Sequence, residues 1–340
     1  MPESGMAYWL PLASMALMGL AVLVYVVLDG YDLGVGILLR HAHADEDKDL
    51  MIAAIGPFWD ANETWLVLGI GLLLVAFPLA HGVILGALYL PVTAMLFGLI
   101  LRGVAFDFRV KARAHHKPWW NRAFHAGSLI AALAQGAMLG LYITGFRDDA
   151  WGVLFAAVVA LGLCAGYALL GAAWLILKTE GALQRLAVRW ARGALGLTAV
   201  GVAAVSLATP LVSRRVFDKW FSWPELVFLA PIPLATMLLF FGCAYWLQRL
   251  PARLAQGDER GAGRLFAAAA TIFALAFCGL AYSLFPYLVV DRIDLWQAAS
   301  APESLAAVLI GVAIVLPTIA GYTLYAYRVF RGKATALHYH

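Results

Sequence analysis

The stretch MAYWLPLASMALMGLAVLVYVVL, residues 6–28, contains no Asp, Glu, Lys or Arg. It has the length that an α-helix needs to cross a hydrocarbon core of about 30 Å, which is about 20 residues. The rest of the chain has the same character, since 63% of its 340 residues are hydrophobic and only 13% are charged. Soluble domains carry about 25% charged residues. The sequence therefore predicts an all-α, polytopic membrane protein.

Nine apolar segments of this kind follow one another, and we expect them to form a single transmembrane domain over residues 1–340. A tight turn near residues 77–81 would make the second and third spans antiparallel neighbours. Gly82 and Gly86, four residues apart, would let helix backbones approach closely. The predicted spans lie near residues 6–28, 57–79, 82–101, 124–144, 151–177, 195–212, 224–247, 265–287 and 304–327.

The basic residues predict the orientation of these spans. Loops rich in Lys and Arg remain in the cytoplasm, so the side that carries most of them is the inner side. We therefore predict an N-terminus outside and a C-terminus in the cytoplasm. This rule also accounts for the net charge of +4, which is then no sign of nucleic-acid binding. All but five of the 24 Lys and Arg fall on the inner side, and the five are Arg147, Arg214, Arg215, Lys219 and Arg292.

Ionisable residues inside membrane spans are costly, and they usually face a cavity or a partner. Most of the 20 acidic residues lie in predicted loops, and the acidic run at 45–49 is expected to be solvated. The exceptions lie at the predicted cytoplasmic ends of the first three spans, where they should converge. Carboxylates exchange protons and a nearby arginine keeps part of the cluster ionised, which favours a proton entry path. The predicted cluster has five acidic residues and one arginine, namely Asp29, Asp32, Asp60, Glu63, Asp107 and Arg102.

Local spacing supports this cluster, but it also allows a structural interpretation. Asp29 and Asp32 are three residues apart, so a helix would place both on one face. Asp60 and Glu63 would form a polar stripe of one turn, deeper in the membrane than Asp29. Alternatively, the first pair marks a span end among headgroups, where neighbouring glycines pack closely, and Asp60 stabilises a helix N-terminus through its dipole. Arg102 alone would then be a topology charge.

Metal and haem ligands are sparse in the predicted spans. None of the eight histidines lies in the middle of a span, and the methionines inside spans are interpreted as core residues. Cys164, Cys243 and Cys278 are far apart in apolar segments and are interpreted as packing residues. We therefore predict that this chain ligates no haem iron and no metal ion.

Four motifs carry a resemblance to a known family. They are DGYDLGVG at residues 29–36, GPFWDANETWLV at 56–67, ALYLP at 87–91 and LRGVAFDFR at 101–109. In this order, and followed by the same number of spans, they resemble subunit II of the cytochrome bd-type quinol oxidases, including the cyanide-insensitive branch. The motifs cover the first third of the chain, and the remainder is similar in span count and loop character.

The resemblance implies a non-haem subunit that forms a heterodimer with a haem-bearing subunit I. That partner would carry haems b and d and oxidise quinol, and the complex would reduce O2 to water in the bacterial cytoplasmic (inner) membrane. This subunit would support assembly of the pair and contribute a cytoplasmic proton path. Asp29, Asp60, Arg102 and Asp107 match that path best, and Asp32 and Glu63 match it less well.

The same resemblance leaves other ligands and partners open. It is compatible with a bound quinone, for which Trp59 is the candidate contact, although close packing is an alternative role for this residue. It is also compatible with additional small single-span subunits.

Two other functions remain as alternatives. A proton-coupled secondary transporter would also need acidic residues in its spans, but it predicts them near the bilayer midplane together with broken helices in both halves. A purely structural scaffold would use the acidic residues only to lock helices together.

Overall fold

The computed structural model describes residues 5–335 and is almost entirely helical. Within these residues nine helices are long and apolar enough to cross a membrane, which confirms the predicted number. In chain order the helices are α1 (Met6–Leu38), α2 (Asp45–Ala53), α3 (Trp59–Ala76), α4 (Pro78–Ala87), α5 (Tyr89–Lys111), α6 (Lys117–Ile143), α7 (Ala150–Lys178), α8 (Gly181–Val212), α9 (Arg214–Trp220), α10 (Glu225–Leu229), α11 (Pro231–Ala255), α12 (Ala262–Leu284), α13 (Leu295–Ala298) and α14 (Pro302–Val329).

The remaining short elements connect the spans. A small antiparallel hairpin of β1 (Tyr287–Val289) and β2 (Ile293–Asp294) lies between α12 and α13. Asp294 then caps α13 by accepting hydrogen bonds from the backbone of Trp296 and Gln297. Eight of the spans are the single helices α1, α3, α5, α6, α7, α8, α12 and α14. The remaining span consists of α10 and α11 together.

Two predicted span limits are wrong in ways that affect the site. The first span was expected to end at Leu28, but α1 continues to Leu38. Asp29 and Asp32 therefore lie inside a helix, and both are fully buried. The third span begins at Tyr89 rather than at Gly82.

The predicted tight turn between the second and third spans is also wrong. Phe77 leaves the helical conformation, and Pro78 then starts the separate helix α4, because proline is well suited to the first position of a helix. As a result α3 packs mainly on α1 and α14, whereas α5 packs along α6.

Close backbone approaches occur at glycines, but not at the pair that the spacing suggested. A side chain at Gly34 in α1 would overlap the Tyr167 carbonyl group in α7. Gly98 in α5 and Gly127 in α6 face each other in the same way. An added Cβ at Gly82 or Gly86 would meet no atom of the described residues within 4 Å, so this pair makes no close helix contact within the described chain.

The residues after α14 fasten the end of the described chain to the junction between α7 and α8. The Ala334 N–H donates to the Lys178 carbonyl at 2.7 Å. Lys178 is 6% exposed, and its ammonium group donates to the Phe330 carbonyl at 2.6 Å. Lys333 donates to the Thr179 carbonyl at 3.0 Å. The last spanning helix is thereby held against the middle of the bundle.

Candidate functional site

The centre of the candidate site is Arg102 in α5, which is 1% exposed. Its Nη2 atom donates to Asp29 Oδ1 in α1 at 2.7 Å. The same atom donates to Glu63 Oε1 in α3. One guanidinium group therefore joins three spanning helices through two carboxylates, and we call these three residues the Arg102 cluster.

Exposure differs sharply across this cluster. The Asp29 side chain is 0% exposed, whereas the Glu63 side chain is 29% exposed. The cluster thus connects a partly accessible carboxylate with one that is sealed inside the bundle. One guanidinium charge cannot neutralise two carboxylate charges, so the three groups carry a surplus negative charge unless one carboxylate is protonated.

Asp32 joins the cluster only indirectly, through a network of neutral groups. Asn62 Nδ2 donates to Asp32 Oδ2 at 2.7 Å and to the Tyr31 hydroxyl at 3.0 Å. The Tyr31 and Tyr327 hydroxyls are 2.5 Å apart, and Tyr327 donates to Asn62 Oδ1 at 3.3 Å. The first span and the last span therefore meet beside the buried carboxylates.

Several buried polar atoms at this place have no hydrogen-bond partner among the described residues. They are Asp29 Oδ2, Asp32 Oδ1, Arg102 Nε and Arg102 Nη1. Buried polar groups in native proteins are nearly always paired with protein or with internal water. The two carboxylate oxygens are acceptors and the two guanidinium nitrogens are donors, and bridging water molecules can satisfy both kinds of group.

Asp60 and Asp107 lie at the surface, outside the buried network. Asp60 is one turn before Glu63 on α3, and Asp107 is in the last part of α5. Neither carboxylate forms an ion pair with any described residue. The expectation that Asp60 lies deeper than Asp29 is wrong, because α1 extends past Asp29 while α3 begins at Trp59.

Trp59 lies half-buried between α3 and α5. Its ring is 5.8 Å from the Arg102 guanidinium carbon and 5.1 Å from the Phe106 ring centroid. It covers one side of Arg102 and packs over Gly103, where an added Cβ would lie 3.7 Å from the indole. Its contacts with the described residues are packing contacts.

Three residues of the site were not predicted from the sequence. Asn62 and Tyr31 lie within the quoted motifs, yet neutral residues did not stand out among the charged ones. Tyr327 lies 296 residues from its hydroxyl partner Tyr31, and no local pattern predicts such a pairing. A further neutral chain extends from α1, in which Gln135 donates to the Tyr25 hydroxyl at 2.7 Å and accepts from the Tyr167 hydroxyl at 2.6 Å.

A second cluster lies further along α5, around Arg109. Arg109 Nη2 donates to Asp49 Oδ1 at 2.5 Å, and its Nε donates to Asn121 Oδ1 at 2.5 Å. Lys117 donates to Asp49 Oδ2 at 3.2 Å. The expectation that the acidic run at 45–49 is merely solvated is therefore wrong for Asp49, because this carboxylate pairs with Arg109 of α5 and Lys117 of α6.

Asp49 lies outside the spanning helices, and two opposing effects act on it. Partial burial acts to raise the pKa of its carboxyl group. The hydrogen bonds and charges of Arg109 and Lys117 act against this effect and hold the pKa below its ordinary value of 3.8. The ionised form of Asp49 is thus favoured by the folded structure.

The described residues contain no group of three or more His, Cys, Asp or Glu side chains that could hold a metal ion. His125 Nδ1 lies 3.1 Å from the Gly36 carbonyl, where it packs α6 against α1. His338 and His340 lie outside the described residues.

Nine helices of the described residues are long and apolar enough to span a membrane, and an arginine and carboxylates are buried between the first spans. These features define a polytopic membrane protein with an ionisable site inside its helical bundle. A model of the family described as cytochrome bd terminal oxidase subunit II matches residues 10–330. The chain therefore belongs to the cytochrome bd terminal oxidase subunit II family.

Individual relatives agree with this assignment. The chain is 29% identical over 337 residues to cytochrome bd ubiquinol oxidase subunit 2 of Bacillus subtilis, covering 92% of this chain and 93% of the relative. It is 30% identical over 216 residues to cytochrome bd-I ubiquinol oxidase subunit 2 of Escherichia coli, covering 60% and 55% of the two chains. Its fold is similar to a chain of the bd oxidase from Geobacillus thermodenitrificans, with a TM-score of 0.76, 18% identity, and coverage of 94% and 98%.

Membership defines the setting in which the site works. The chain is a subunit of an oxidoreductase complex of the bacterial inner membrane, in which a partner subunit I is present and haems are carried by the complex. The transporter alternative is not favoured by these findings.

Proposed function

We propose that the Arg102 cluster is the part of a cytoplasmic proton-uptake path that this subunit contributes to the oxidase. The observation that carries the proposal is the shared guanidinium group, which joins the partly exposed Glu63 to the sealed Asp29. A carboxylate at the surface can exchange a proton with water, and a carboxylate inside the bundle can pass it inward. Reduction of O2 to water consumes protons, so such a complex needs an entry route of this kind.

The charge of the cluster suits proton transfer. Arg102 neutralises one carboxylate, so a proton that binds to the other carboxylate completes the balance rather than creating an isolated charge. The atoms of Asp29 and Asp32 that lack protein partners offer acceptors to a chain of internal water. Protonation and deprotonation can therefore proceed while the helices stay in place.

The direction of uptake depends on the predicted topology. With the N-terminus outside, the end of α1 and the start of α3 lie on the cytoplasmic side. The exposed Asp60 and Asp107 then belong to the mouth of the path, Glu63 to its entrance, and Asp29 to its interior. Asp32 and its hydrogen-bonded neighbours form a side branch toward α14.

We also propose that quinol is the electron donor of the complex, that this subunit binds a quinone, and that small single-span subunits join the complex. The half-buried indole of Trp59 offers a surface on which a quinone ring can stack, and small single-span subunits can join the heterodimer. Quinone binding is measured as the amount of quinone extracted from the purified complex. Trp59→Ala should lower the quinone content, whereas Trp119→Ala, which removes an exposed tryptophan elsewhere, should not. Equal content in both variants would assign Trp59 to packing alone.

The path itself is tested with Asp29→Asn and Glu63→Gln in the complete complex. We expect quinol-driven O2 consumption to fall by about 100-fold or more, as for loss of a positioned proton-transfer group, while the visible haem spectrum stays unchanged. Asp49→Asn is the matched control, because it removes a carboxylate from an arginine of the same helix outside the path. Joint loss of haem and assembly would favour the scaffold, and undiminished turnover would exclude the path.

A further inference from the structure

A shallow apolar groove of about 160 Å³ lies between α11 and α12, two helices that contribute nothing to the Arg102 cluster. Trp246 and Arg264 lie at the end of the groove where α11 finishes and α12 begins. The remaining walls are small or aliphatic, and they are formed by Leu238, Leu239, Gly242, Cys243, Leu265 and Ala268.

Two arginines flank the indole at this end. The guanidinium carbon of Arg253 is 4.6 Å from the centre of the Trp246 ring, and that of Arg264 is 5.3 Å away. Gly261 supports the indole from below, since an added Cβ there would lie 2.9 Å from the ring. Two guanidinium groups thus lie within cation–π distance of one indole at this end of the groove.

These two cationic groups have no carboxylate partner among the described residues. The acidic residues of the nearby loop are engaged elsewhere. Glu259 pairs with Lys333 at 2.8 Å, and Asp258 Oδ1 accepts from the Arg260 backbone N–H at 3.1 Å. The place therefore presents positive charge without compensation.

We infer that this groove binds one anionic phospholipid, with its phosphate held by Arg253 and Arg264 and one acyl chain lying along α11 and α12. Guanidinium groups bind phosphate through charge-assisted hydrogen bonds. Tryptophan rings prefer the headgroup level of the bilayer. Basic pockets between spanning helices are a known form of anionic headgroup site. Charge complementarity selects an anionic lipid over a zwitterionic one.

The headgroup half of the site is tested on the complete complex after its lipids have been removed. The complex is titrated with phosphatidylglycerol or phosphatidylcholine, and lipid binding is measured by native mass spectrometry. Arg253→Gln and Arg264→Gln should each weaken binding of phosphatidylglycerol by about fivefold. Arg249→Gln is the matched control, because Arg249 lies one turn earlier on α11 and stacks on Tyr245 at 4.4 Å, away from the groove. An equal loss in this control, or equal affinity of the wild type for both lipids, overturns the inference.

The acyl half of the site is tested by filling the groove. An added Cβ at Gly242 meets no atom of the described residues within 4 Å, so Gly242→Leu should fold normally and displace the lipid. Gly193→Leu is the control, because Gly193 in α8 has equally open surroundings. Retention of the lipid in Gly242→Leu would exclude the groove. A single-span polypeptide retained there in place of lipid would also overturn the inference.

Discussion

Arg102 and Arg109 lie two turns apart on the same helix, and both are buried, yet their surroundings differ. Arg109 has one carboxylate and one amide as partners, and that carboxylate is also bound by Lys117. Arg102 has two carboxylates and still retains two nitrogen atoms without a partner among the described residues.

If the proposed function is right, this difference separates a structural ion pair at Arg109 from a proton-exchange site at Arg102. Around Arg109 the cationic groups outnumber the acidic one, and the partners come from α2 and α6, so the arrangement fixes helices together. Around Arg102 the acidic groups outnumber the cationic one, and unpaired polar atoms remain. A surplus of carboxylates with spare acceptor atoms is what proton transfer requires, whereas a saturated ion pair gives only stability.

The largest effect is expected from Arg102→Gln. The change leaves Asp29 buried without a cationic partner, and breaking a buried ion pair from one side costs about 3–5 kcal/mol. The complex should therefore unfold at a lower temperature and lose turnover. Thermal unfolding and O2 consumption of the purified complex measure both effects, and wild-type values in either would contradict the assigned role.

Arg109→Gln should have a smaller effect, and only on stability. Its partner Asp49 is 36% exposed, so water replaces part of the lost interaction, and we expect a cost of about 1–2 kcal/mol. Turnover of the assembled complex should remain close to that of the wild type. A loss of turnover as large as that of Arg102→Gln would remove the distinction between the two arginines.

The smallest effect concerns pH. The folded structure lowers the pKa of Asp49 below its ordinary value of 3.8. Its contribution to stability is therefore complete above that ordinary value and is lost as pH falls through the lower folded value. Asp49→Asn should therefore show a weaker decline of the unfolding temperature below about pH 4 than the wild type. Parallel curves for the two proteins would contradict the assignment.

The helical membrane fold and the number of spans could be predicted from the sequence, because bilayer thickness determines span length and charged residues mark the loops. The extension of α1 past Asp29 could not be read, because a carboxylate after an apolar run normally marks a span end. The free-energy cost of burying the Asp29 carboxylate is offset by Arg102 on α5, which reaches Asp29 only in the folded chain. The pairing of Asp49 with Arg109 and of Tyr31 with Tyr327 was hidden for the same reason, since both join distant segments.

The meeting of the first and last spans has a consequence for biosynthesis. The ribosome delivers Tyr31 and Asp32 with α1, adds Asn62 with α3, and releases Tyr327 only with α14. During most of translation the hydroxyl that completes this hydrogen-bonded group does not yet exist. A polypeptide that stops before its final helix therefore lacks the Tyr327 hydroxyl and leaves the polar groups of Tyr31 and Asn62 without this partner.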